Sequence, residues 1–84
     1  MESASGWPWQ QTLAMASQGE VVQIKEILFG MIRDYLQEMG IGRGSVLECI
    51  ENRPNEVLVR LPTGETRLIG WDYAWFVYVT RRTC

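Results

Sequence analysis

The sequence predicts a small, mainly β domain with one or two helices, folded as a partly open barrel. Three observations predict it. First, apolar and polar residues alternate over short runs: Val22 and Ile24 against Gln23 and Lys25, then Val57, Val59 and Leu61, then Val77 and Val79. A period of two is the mark of a half-buried strand. Second, Phe29, Ile32, Leu36 and Met39 recur at spacings of three and four, which places them on one face of a helix. Third, Glu51-Asn-Arg-Pro-Asn55 and Pro62-Thr-Gly-Glu65 interrupt the strand runs as tight turns do.

Residues 1–11 read as a polar lead-in in which Trp7 and Trp9 flank Pro8. That strip is either a terminus whose rings pack loosely on the barrel or part of a protein-docking surface. Thr12 to Ser17 forms a short turn or strand. Gly19 to Ile27 is the first clear strand, and the helix spans roughly Phe29 to Met39. Gly40 follows the helix at once, where a residue tolerating positive φ is most often needed. Val46 to Ile50 forms a strand, and Val57 to Leu61 the next. Thr66 to Ile69 pairs back, Gly70 to Ala74 makes a short helical turn, and Val77 to Val79 completes the sheet. Five strands and a plugging helix give a barrel of the SH3 kind over residues 12–80, with 81–84 as a tail. Its expected lining is Val22, Ile24, Val46, Val57, Val59, Leu68, Val77 and Val79, under Ile32, Leu36 and Met39.

Eighty-four residues allow one domain with a small core. Hydrophobic residues make up 46% and charged residues 21%, ordinary values for a folded domain. A net charge of −2 with Lys25 as the single lysine provides no footprint for a polyanion, which argues against a nucleic-acid partner. No apolar run is long enough to insert in a membrane. Met1 to Gly6 lacks the basic start of a secretory signal, and Cys49 and Cys84 do not make a disulfide framework. Both point to a reduced, cytoplasmic setting.

Residues suited to catalysis are scarce. The chain has no histidine, which removes the commonest acid–base group and metal ligand at neutral pH. Ser3, Ser5, Ser17 and Ser45 have no base partner in the pattern. Gly40-Ile-Gly-Arg-Gly44 resembles a phosphate loop in composition but follows a helix, whose C-terminal end is electronegative and repels phosphate. Asp34 and Glu38, four apart on the helix, and Glu48 and Glu51, flanking the end of the next strand, have carboxylates suited to a cation, although solvated faces use the same spacing. No enzymatic site, cofactor site or dedicated metal site is expected.

The remaining signal is aromatic. Trp71, Tyr73, Trp75, Phe76 and Tyr78 fall within eight positions, more ring area than a barrel this small encloses. Trp71, Trp75, Phe76 and Tyr78 are therefore the expected partner interface, which in the absence of a partner supports a homodimer.

Three stretches carry a family likeness: the helix running into Leu36-Gln-Glu-Met-Gly40-Ile41, a second glycine at Gly44 opening a strand, and Leu68-Ile-Gly-Trp-Asp-Tyr-Ala74 followed by Val77 and Val79. With the turn from Leu13 to Gly19, they resemble the FeoA family over about Thr12 to Val79. The pattern departs from the family at Arg43, where proline is usual. The resemblance implies an SH3-like FeoA domain that catalyses nothing. It implies a regulatory or accessory role in bacterial ferrous iron uptake through contact with the FeoB membrane GTPase. The alternative it leaves is a weak carrier or sensor of ferrous iron or another transition metal. DtxR-type repressors end in the same domain, but a repressor is not expected of a chain without histidine or DNA-binding helices.

Overall fold

The computed structural model describes residues 11–82. Strand β1 (Gln11–Thr12) leads into a 3-10 turn (Leu13–Met15), followed by β2 (Val21–Ile27) and helix α1 (Gly30–Gln37). Then come β3 (Val46–Asn52), β4 (Glu56–Arg60), β5 (Thr66–Gly70), the one-turn helix α2 (Trp71–Ala74) and β6 (Val77–Arg81). All pairings are antiparallel, and the spatial order is β1-β6-β2-β3-β4-β5. Strands β2 to β5 are a meander, whereas β6 returns to insert between β1 and β2. The outer strands β1 and β5 do not pair, so the barrel is partly open.

The mainly β, SH3-like architecture thus matches the expectation, with one strand more than the five expected. That strand is β1, which sets Thr12 opposite Tyr78 and Gln11 opposite Val79. Two residues are too few to show an alternation, so pattern reading had no purchase on it.

Two expected lining residues sit on the wrong face. Val46 is half-buried and Leu68 is exposed, while their neighbours Leu47, Cys49 and Ile69 fill the core. The register explains the exchange: inward Val22 lies opposite Leu47, and outward Gln23 lies opposite Val46. Likewise Val57 faces Ile69, which leaves Leu68 beside Leu58 on the outer side. Paired residues across a ladder point to the same face, so one slip inverts a whole strand. Where both faces carry aliphatics, as at Val46-Leu47 and Leu68-Ile69, alternation alone does not choose between them.

The helix is also shorter than expected. Phe29 precedes it in extended conformation (φ −109°, ψ 141°) and is exposed, so it does not extend the buried stripe. Ile32 and Leu36 do pack into the core, and Met39 only flanks it. The chain stops the helix by a Schellman closure: Gly40 N–H donates to Gln37 O (2.9 Å) and Ile41 N–H to Leu36 O (3.0 Å). Gly40 holds φ at 83°, which suits glycine, and Ile41 is brought down into the core that Leu36 occupies.

Two polar side chains tie the elements together. Asn52, at the end of β3, donates through Nδ2 to Ala14 O (2.9 Å) and Ala16 O (2.7 Å), anchoring the segment around the 3-10 turn. Glu20, just before β2, accepts from Ser17 N–H (2.9 Å) and Gln11 Nε2 (3.2 Å) and pairs with Arg81 of β6.

Candidate protein-docking surface

Helix α2 and its flanks carry the aromatic cluster, and packing divides its rings between anchored and exposed. Trp71 opens α2 and is half-buried against the core. Its indole Nε1–H donates to Asn52 Oδ1 (3.1 Å), and its backbone N–H to Asn55 O (3.0 Å). Tyr73 stacks on Tyr35 of α1 at 4.2 Å and 21°. Burial pushes the Tyr35 phenol above its ordinary value, neighbouring Tyr73 adds to the rise, and a backbone hydrogen bond at Gly70 opposes it. These rings fasten α2 to both the sheet and α1.

Trp75 and Phe76 stay outside. They are 45% and 37% exposed, far more than rings placed for core packing. Phe76 meets Phe29 edge-on, with centroids 5.1 Å apart at 74°, and its carbonyl accepts from Leu28 N–H (3.0 Å). The β2–α1 and α2–β6 junctions therefore meet here. Leu28, Phe29 and Met31, the last 75% exposed, add apolar surface from the first of these junctions. Trp75 also touches Trp71 edge-on, at 5.8 Å and 81°. Tyr78 differs from the rest, being half-buried on β6 opposite Thr12 and Glu26.

Of the four expected interface residues, the structure places Trp75 and Phe76 at the surface and draws Trp71 into the support behind them. Sequence reading missed Leu28, Phe29 and Met31 because Phe29 and Met31 fell within the expected helix. It also missed Asn52, which a polar residue prolonging a strand rich in apolar neighbours would have signalled. Trp7, Trp9 and Cys84 lie outside the described residues.

The carboxylates weighed as cation ligands are dispersed. Glu48 pairs with Arg60 (3.4 Å) and Glu51 with Arg53 (3.0 Å), all at the surface. Asp34 and Glu38 are exposed on and just after α1. The Cys49 thiol is buried, with Sγ 3.9 Å from Ala16 O, and burial pushes its pKa up with a smaller contribution from Glu20. No group of three or more such side chains converges among the described residues. The glycine turn does lie beyond the C-terminal end of α1, beside a cleft of about 450 Å³ flanked by Arg33 and Arg43. Arg43 there is paired with Glu26 at 2.9 Å.

The FeoA domain family model matches this chain over residues 11–81, the span of the sheet and both helices. The chain belongs to the FeoA family. Solved structures agree on the fold. A crystal structure of an iron uptake regulatory protein (FeoA) superposes with a TM-score of 0.79 at 24% identity, over 86% of this chain and 97% of that one. A manganese-dependent transcriptional repressor aligns at 0.76 and 18% identity, over 86% of this chain and 41% of its own. A manganese-dependent transcriptional repressor in complex with manganese aligns at 0.80 and 20%, over 92% and 39%. This FeoA domain thus spans about two-fifths of each repressor's length. Among curated proteins no match is found. No helix among the described residues is long and apolar enough to cross a membrane.

Proposed function

We propose that this FeoA domain is a non-catalytic regulatory module of ferrous iron uptake, working in the cytoplasm by contact with the cytosolic part of a FeoB-like membrane GTPase. One observation supports the docking surface above all: Trp75, Phe76 and Phe29 stand exposed on an edge whose backing is fastened by hydrogen bonds and ring stacking. Aromatic side chains held in place from behind lose little freedom on binding and dominate interface energetics. Without its partner, the same edge is satisfied by a second copy of the chain.

Trp75→Ser and Phe76→Ser test the reading. Both variants should keep a cooperative melt and gain solubility, yet lose capture of the transporter's cytosolic domain and any self-association. Wild-type capture by both variants would refute the surface. A chain that unfolds on either change would assign that ring to the core.

A further inference from the structure

We infer that the cleft beside α2 receives an arginine side chain of the protein partner. The inference rests on the docking reading and names the chemistry of one contact within it. The cleft holds about 420 Å³ and is lined by Pro54, Asn55, Trp71, Asp72, Tyr73 and Trp75. Its two indoles meet edge to face, at 81° with centroids 5.8 Å apart, and both line the cleft. The faces of tryptophan rings carry negative potential and attract a cation within about 6 Å of the ring centre.

Asp72 supplies the matching charge. It is exposed in the first turn of α2, lines the same cleft, and makes no ion pair or side-chain hydrogen bond among the described residues. Its neighbour Trp71 is held by Asn52 and by Asn55 O, and Tyr73 by stacking on Tyr35, so two of the lining rings are fixed before any guest arrives. A carboxylate and aromatic rings lining one cleft fit a flat, weakly hydrated guanidinium, which stacks on a ring and donates to the carboxylate. A partner's acidic or purely aliphatic side chain gains nothing from Asp72.

The test uses the full ¹⁵N-labelled chain, N-acetyl-arginine methylamide as probe and the citrulline counterpart as its neutral isostere. The arginine probe should shift the indole N–H signals of Trp71 and Trp75 and the amides of Asp72 and Tyr73. Citrulline should bind about fivefold more weakly, and Asp72→Asn, with an unchanged melt, should weaken arginine binding about threefold. Equal binding of the two probes, shifts centred elsewhere, or indifference to Asp72→Asn would each overturn the inference. So would a dimer that dissociates on Asp72→Asn, because the cleft would then serve a second copy. If arginine binds as described while Phe76→Ser leaves transporter capture intact, the cleft stands and the wider docking reading fails.

Discussion

At the scale of single residues, half-buried Asn52 and buried Cys49 matter more than any surface charge. Asn52 uses one amide for three hydrogen bonds: two to the backbone around the 3-10 turn and one from Trp71. Its replacement by alanine leaves two carbonyls and an indole N–H in want of partners, and should cost about 2–4 kcal/mol. Denaturant melts measure that loss, and the emission of Trp71 should move to the red as water reaches it. Cys49 bears on pH. Its folded thiol titrates above the ordinary value of 9.0, chiefly because it is buried. The unfolded chain therefore gives up this proton at lower pH than the folded chain does, so the folded state binds more protons above that point. Stability should accordingly fall as pH climbs past 9.0, and Cys49→Ala should flatten the decline. A decline of equal steepness in the variant would assign it to other groups. The exposed pairs Arg43–Glu26 and Arg60–Glu48 should add little by comparison.

At the scale of elements, α1 illustrates both what a sequence reveals and what it conceals. Ile32 and Leu36 announced a helix with one buried stripe, and Gly40 announced its end; all three hold those places in the structure. Leu36→Ala should cost about 2–5 kcal/mol, since it empties fully buried volume. Gly40→Ala should cost about 1–2 kcal/mol through the left-handed backbone alone, with space to spare around the added methyl. A double-mutant cycle checks the link: Leu36 and Ile41 are joined across the closure, so their alanine variants should be non-additive. Hidden from the sequence was the phase of β3 and β5. Strands with aliphatics on both sides are phased by their partners, and Val46 and Leu68 faced outward for that reason. Phe29 was concealed differently. Its spacing suits the helical stripe, but Gly30 starts the helix one residue later and turns the ring toward Phe76.

At the scale of the whole molecule, the aromatic excess in the last third of the chain led to the proposed docking edge, and the exposed Leu28, Phe29 and Met31 beside it emerged only once the sheet had brought two distant junctions together. Calorimetric titration with ferrous iron and with zinc, anaerobic and reduced, should show no stoichiometric binding in the low micromolar range. Binding abolished by changing Cys49, Cys84 or the Asp34 and Glu38 pair would reverse that expectation. The strand order has a further consequence, for how the protein is made. Strand β6 is translated after the other strands of this sheet, yet its place is between β1 and β2, with Val79 opposite Ile24 on one side and Gln11 on the other. Until the ribosome has released it, the nascent chain carries a β2 edge with unpaired amides and a half-built interior open to solvent. Hairpins from β2 to β5 can zip locally as they emerge, but the closing strand has to be threaded into a waiting slot. Synthesis that stalls before Val77 would therefore leave a sticky intermediate, and a chaperone's attention would be drawn to β2.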